Sequence, residues 1–268
     1  MKYSFMSFSG PQLTLGELLA TAKRFGYDGV EPRIDSQHKH GVETTASAAQ
    51  RKEMKKQASA VGVALACIAT SCQYANPEIT KQNVDYTLKC IDLAADVGAG
   101  LIRVFGGSLA KDQQREDAIR IVADALRAVA DHAKMRGVMV CMETHDSWCL
   151  PADVAAVMQR VNHPAIAVNW DIMHPVRVHK TSIDEAFATL KPWIRHIHFH
   201  DGTPGSTQLM PIGNGGIDHQ RAVELLLTIP YNGYLSGEWI NWSDPCELHL
   251  PRELATMKSY ERVAAAAR

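Results

Sequence analysis

No CxxC pair occurs anywhere in this sequence: its six cysteines, Cys67, Cys72, Cys90, Cys141, Cys149 and Cys246, are scattered singly along 268 residues. A chain of this length buries a core large enough to stand without disulfides, so buried thiols are expected ahead of a soft-metal or nucleophile role. There is no run of about 18 apolar residues, and the opening MKYSFMSFSG is too short and too serine-rich for a secretory signal. The expectation is a soluble cytoplasmic protein that does not meet a membrane. Basic runs are missing too, with 28 Lys plus Arg against 29 Asp plus Glu and a formal charge of −1, which argues against nucleic acid as a partner. No linker rich in Pro, Gly or Ser and no low-complexity tract divides the chain, so a single domain over residues 1–268 is expected.

What is present is a strict alternation. Short β-branched or aromatic runs at 3–8, 29–33, 63–69, 101–106, 138–144, 166–171, 196–200 and 234–240 are separated by segments of helical period, from LTLGELLATAKRFG to ELHLPRELATMKSYERVAAAA. Several of these segments end in glycine, at Gly26, Gly62, Gly98 and Gly137, the residue that most readily closes a helix. Eight strands alternating with eight helices imply an α/β fold, a single (β/α)8 TIM barrel. A doubly wound open sheet would call for a G-x-G-x-x-G turn after the first strand, and SFSGPQLTLGE has none.

Chemistry in such barrels gathers at the C-terminal ends of the strands. Successive side chains of a strand point to opposite faces, so VMVCMETHD puts Cys141, Glu143 and His145 together, AIAVNWD puts Asn169 with Asp171, and YLSGEW puts Ser236 with Glu238. The seventh strand, WIRHIHFHDG, carries His196, His198 and His200 on one face. Four successive strands thus end in an acid or a histidine on the face free of bulky apolar side chains. Three carboxylates converging there repel one another unless a cation sits among them. Oxygen donors with one imidazole suit Mn²⁺ or Mg²⁺, with Co²⁺ or Zn²⁺ as further options. Three histidines at i, i+2 and i+4 span ~13 Å, so they do not all bind one ion. Glu31 and Arg103 also face the lumen, placed either to contact substrate or to pair with each other. The run GNGGID before the seventh helix offers backbone N–H groups that could receive a phosphate.

The ordered set YDGVEPR, IRVFGG, METH, NWDIMH, HIHFHDG followed by PIGNGGID, and GYLSGEW resembles the xylose isomerase-like TIM-barrel superfamily, the sugar phosphate isomerase and epimerase group, over nearly the whole chain. The resemblance implies Glu143, Asp171, His198 and Glu238 as metal ligands, with His198 marked by its step to Asp201, and His174 as a substrate contact. His196 is then expected lower in the barrel, and His200 turned toward substrate or Asp201. In the family's ketose 3-epimerases two metal-bound glutamates pass a proton through an enediolate, and Glu143 and Glu238 match them. Those enzymes follow the seventh-strand histidine with a substrate-gripping arginine, which Asp201-Gly202-Thr203-Pro204 lacks. The Glu143-x-His145 step instead resembles 3-dehydroshikimate dehydratases and lyases of 3-keto-glycosides that use this histidine as base; Arg103 and His174 match substrate contacts of the dehydratases.

The expected function is therefore a divalent-metal-dependent isomerase or epimerase of a sugar, sugar phosphate or keto-sugar, abstracting a proton next to a carbonyl. Glu143, Glu238 and His145 are the candidate acid–base groups, and His145 could alternatively orient Glu143. A metal-dependent lyase or dehydratase on a polyhydroxylated keto substrate is the alternative; a non-catalytic sugar-binding barrel, or a subunit completed by a different partner, is the alternative of another class. Homo-oligomerisation is expected, with an exposed Trp239-Ile240-Asn241-Trp242 loop covering a neighbour's mouth or closing over a carbohydrate or keto-acid substrate. Amidohydrolases place a His-x-His pair at the end of strand one, and YSFMSFS has no histidine. AP endonuclease IV needs additional histidines that CIATSCQY and IRVFGG do not provide.

Overall fold

The computed structural model describes residues 1–203, 206 and 208–267; Pro204 lies outside them. In chain order the strands are β1 (Lys2–Met6), β2 (Gly29–Glu31), β3 (Ala64–Leu65), β4 (Ile68–Ala69), β5 (Leu101–Phe105), β6 (Met139–Glu143), β7 (Ile166–Asp171), β8 (Ile194–Phe199), β9 (Asp201–Gly202), β10 (Leu209–Met210) and β11 (Tyr234–Gly237). The helices are α1 (Leu15–Phe25), α2 (Ala48–Val61), α3 (Pro77–Val97), α4 (Arg115–Arg136), α5 (Pro151–Val161), α6 (Met173–His179), α7 (Ile183–Leu190), α8 (His219–Leu227) and α9 (Cys246–Ala266).

The main sheet runs β3-β2-β1-β11-β8-β7-β6-β5-β4, with every pairing parallel. Its two ends, β3 and β4, are halves of one strand interrupted at Ala66 and Cys67, and a bridge from Arg33 to Ala69 joins the β2 side to β4. The sheet therefore closes on itself, and the eight expected strands form one barrel. Five cysteines are buried and Cys246 is partly exposed, all as free thiols.

Local sequence sets the element ends. Thr14 with Glu17 and Ser47 with Gln50 form capping boxes that satisfy the first N–H groups of α1 and α2. Gly26, Gly62, Gly98 and Gly137 close α1 to α4 at φ of 85°, 72°, 84° and 68°, the left-handed region that costs glycine nothing. Val140, Met142, Val168, Trp170, Ile197, Phe199 and Leu235 fill the core. Trp170 meets Phe187 of α7 and Phe199 meets His219 of α8, so these alternate positions point outward under the helices. Their neighbours in sequence point into the lumen.

Nine helices rather than eight occur among the described residues. The addition is α6, only seven residues long, which carries His174 and Arg177 directly after β7. MHPVRVH is too short to show a period, so the sequence read as the edge of a strand. No described helix is long and apolar enough to cross a membrane.

Candidate metal centre and active site

The site is built in tiers up the lumen. At its base Glu31, wholly buried at the end of β2, has Oε2 2.8 Å from His196 Nε2 and 2.6 Å from the Ser236 hydroxyl, which donates to it. Its Oε1 lies 3.1 Å from His198 Nε2. Burial would raise the Glu31 pKa, but the neighbouring His196 and His198 outweigh it and hold the carboxyl well below its ordinary value. Both Glu31 oxygens, expected to contact substrate or Arg103, are engaged by His196, His198 and Ser236. His196 lies low in the barrel, as expected.

One tier up, His198 Nδ1 is 2.5 Å from Glu143 Oε1 and 3.2 Å from Glu238 Oε2. Burial opposes a charge on this ring, yet Glu143, Glu31 and Glu238 together push its pKa well above the ordinary value. Glu238, which burial would raise, is brought down to about 2 chiefly by His198. Asp171 completes the ring of carboxylates. Its Oδ1 accepts the backbone N–H groups of Met173 and His174 at 2.8 and 3.0 Å, and Oδ2 lies 2.7 Å from His200 Nε2. Thr144 fixes the Asp171 backbone, its hydroxyl accepting from Asp171 N at 2.9 Å and donating to Asp171 O at 3.0 Å.

Arg103 was expected to reach substrate or to pair with Glu31. Its partner is Glu143, with Nε 3.2 Å from Oε2, while Nη1 donates to Thr70 O at 2.8 Å and the guanidinium lies 4.0 Å from the centre of the Phe105 ring. At 1% exposure it braces Glu143 and has little surface for a substrate. His200 turns its ring nitrogens to Glu238 and Asp171 rather than to Asp201. Its Nδ1 is 3.0 Å from the Glu238 carbonyl and its Nε2 faces Asp171, so it braces two members of the ring.

The donor set fits a divalent cation. Oxygens of Glu143, Asp171 and Glu238 and a nitrogen of His198 all lie within 4.8 Å of one another, and all four residues are buried. Glu143 Oε2, ion-paired with Arg103, is buried without a hydrogen bond. His198 Nδ1 faces only carboxylate oxygens, so a cation there would take the place of a proton, while Nε2–H remains on Glu31 in the pattern that orients a ligating imidazole.

At the rim stands His145, its Nδ1 2.8 Å from Asp146 Oδ1 and its ring centre 4.3 Å from that of His174 and 5.0 Å from that of Phe105. Asp146 holds the Nδ1 side of this ring. Asp146 adopts a left-handed φ of 50°, a strained conformation for a non-glycine residue, in the short 3₁₀ turn Asp146–Trp148. Burial lowers the His145 pKa, but the Asp146 hydrogen bond and the charges of Glu143, Asp146 and Glu238 raise it to about 9. Asp146 was not singled out from the sequence; the signal available was an acid directly following a candidate base.

Two expectations about loops are corrected. The GNGGID backbone is not open to phosphate: Asp201 Oδ2 accepts from Gly213 N at 2.8 Å and Gly215 N at 3.0 Å, and Oδ1 from Ile217 N at 3.3 Å. An internal carboxylate fills the anion nest. Trp239 is fully buried, edge-on to His249, whereas Ile240 is 41% exposed. The loop after β11 is therefore anchored by one tryptophan rather than presenting both.

A closed parallel barrel whose strand ends converge three carboxylates and an imidazole defines the class, a (β/α)8 barrel with a residue group in its mouth that could hold a cation. Residues 19–263 match the xylose isomerase-like TIM barrel family, and the chain belongs to it. L-ribulose-5-phosphate 3-epimerase UlaE of Salmonella typhimurium is 25% identical over 244 residues, covering 86% of this chain and 83% of that protein. Among solved structures, an L-ribulose 3-epimerase superposes with a TM-score of 0.81 at 18% identity, covering 99% of this chain and 96% of that one. The probable 3-DHS dehydratase AsbF of Bacillus anthracis gives 0.79 at 17% identity, over 96% of this chain and 99% of that one. Both structural likenesses are of fold.

Proposed function

We propose that this chain is a divalent-metal-dependent epimerase or isomerase of a ketose or keto-sugar, acting by proton abstraction beside a carbonyl. The observation that carries the reading is the buried convergence of Glu143, Asp171, His198 and Glu238, with an oriented histidine at its rim. The epimerase relative supports the reaction class. These four residues would hold one ion, Mn²⁺ by their three oxygens and one nitrogen, which supplies Lewis acidity where negative charge develops as a neighbouring C–H is deprotonated.

The rest falls to the chain's own groups. Glu143 and Glu238 reach His198 from opposite sides of β8, so carboxylates border two sides of the space above it and can give and take a proton there. His145, its Nδ1 held by Asp146, would use Nε2 to move a proton at a substrate carbon or hydroxyl. Arg103 and His200 hold the carboxylates still, and the buried tiers exclude water from beneath. The oriented His145 also favours a second reading, elimination of a β-substituent by the same first step.

The test is metal analysis of the purified protein, followed by deuterium uptake from solvent into a panel of ketoses, ketose phosphates and keto acids. One ion per chain and exchange at a carbon next to the carbonyl are expected; bound metal with no exchange in any member would leave only a binding protein. Product analysis separates epimer from eliminated product. In Glu238→Gln both metal and exchange should be lost, and full occupancy in that variant would refute the ligand assignment.

A further inference from the structure

A second group of potential ligands, Asp171, His174 and His200, lies beside the first, with ligating atoms within 4.8 Å of one another. Its chemistry is decided by Arg177, one turn along α6. Arg177 Nη2 lies 3.1 Å from His174 Nδ1. Guanidinium nitrogens only donate, so Nδ1 accepts and carries no proton. An imidazole with a bare Nδ1 carries its proton on Nε2. That nitrogen is 3.7 Å from Asp171 Oδ2, beyond hydrogen-bond reach, and the ring stands edge-on to His145 at the rim. His174 therefore has no lone pair free for a cation, and the two remaining residues are too few to hold one.

The geometry points to Arg177 as a positioning residue that locks His174 as a neutral Nε2–H donor, aimed at a hydroxyl or carbonyl oxygen of the substrate. Its neighbour is locked the opposite way: Asp146 accepts from His145 Nδ1, leaving a lone pair on Nε2 when that ring is neutral. The two rings, 4.3 Å apart, offer a substrate one donor and one acceptor side by side once His145 has given up its proton, which matches a carbon bearing a hydroxyl whose C–H or O–H is to be moved. No carboxylate competes for Arg177: none lies within 4.0 Å of its guanidinium among the described residues, and its Nη1 reaches only the Ser206 carbonyl, at 3.5 Å. The role in turnover rests on the function proposed above; the tautomer does not.

The experiment reads the tautomer directly. In the metal-free, full-length ¹⁵N-labelled protein, long-range ¹H–¹⁵N correlations of the His174 ring, assigned by comparison with His174→Gln, should show Nε2 protonated and Nδ1 bare. Arg177→Lys should keep that pattern, and Arg177→Met should lose it to the other tautomer or to a mixture. With a turned-over ketose, Arg177→Met should lower kcat about tenfold, the worth of one well-placed hydrogen bond, and Arg177→Lys should restore most of it. Protonated Nδ1 in the parent protein, an unchanged ring spectrum in Arg177→Met, or two ions per chain with one lost in His174→Ala would each overturn the assignment. Absence of exchange with every ketose would instead count against the reaction, leaving the spectral result standing.

Discussion

His145 gives one ring nitrogen to Asp146, and this pair is the proposed proton carrier outside the carboxylate ring. Removing the ring should cost ~10²-fold or more in turnover while the ion stays bound, because none of the four candidate ligands is touched. Asp146→Ala should keep the imidazole but free it to rotate and change tautomer, lowering kcat roughly tenfold or more with KM little changed. Steady-state kinetics beside metal analysis checks both, and full turnover in either variant would remove His145 from the chemistry. His145 was legible in the sequence because strand alternation carries it onto the face of Glu143 two residues earlier. Asp146 was not, because its aim depends on a left-handed φ that no pattern of residue types prescribes.

The elements explain a different set of hits and misses. Alternation tells which face of a strand a residue occupies, and Glu31, Arg103, Glu143, Asp171, His198 and Glu238 were all placed in the lumen on that ground. It does not tell height, which in a barrel is set by the stagger between strands. Glu31 ends its strand as Glu143 does, yet it sits a tier lower, on His196 and Ser236. The loop from β8 to α8 shows a second limit. A glycine-rich run reads as an open anion nest until one knows which carboxylate folds back into it, and here Asp201 does. Its oxygens also accept from Gly202 N at 2.8 Å, making four backbone N–H groups in all. Asp201→Ala leaves these donors to find water or nothing, so a loss of roughly 3 kcal/mol in stability is expected. Urea unfolding gives that figure, and hydrogen exchange should quicken between 213 and 217. Unchanged stability with unchanged protection would mean the loop holds its shape by its own turns.

At the scale of the molecule, the barrel was legible because capping residues, strand period and helix period agree along the chain, leaving few alternative arrangements. The same burial that makes the barrel stable also traps histidines outside the site, and these tie global stability to pH. His40 accepts from Val42 N at Nδ1, at 3.0 Å, and its Nε2 lies 3.1 Å from Arg33 O, a pattern only the neutral ring satisfies. Burial lowers its pKa to about 4. His249, 1% exposed between Trp239 and Trp242, is brought to about 4 by burial and by the charge of Arg252, and neither ring nitrogen has a hydrogen bond. A folded-state pKa below the ordinary value of 6.5 means that the unfolded chain binds more protons between those limits. The stabilisation is therefore complete above about pH 6.5 and is lost as pH falls toward 4, by roughly 2 kcal/mol per histidine at pH 5. Phenylalanine in place of His249 keeps the ring packing and removes the proton, with no hydrogen bond sacrificed. Urea unfolding at pH 7 and pH 5 should show His249→Phe losing roughly 2 kcal/mol less than the parent over that interval. Equal losses in the two proteins would show that His249 takes up its proton without unfolding the chain.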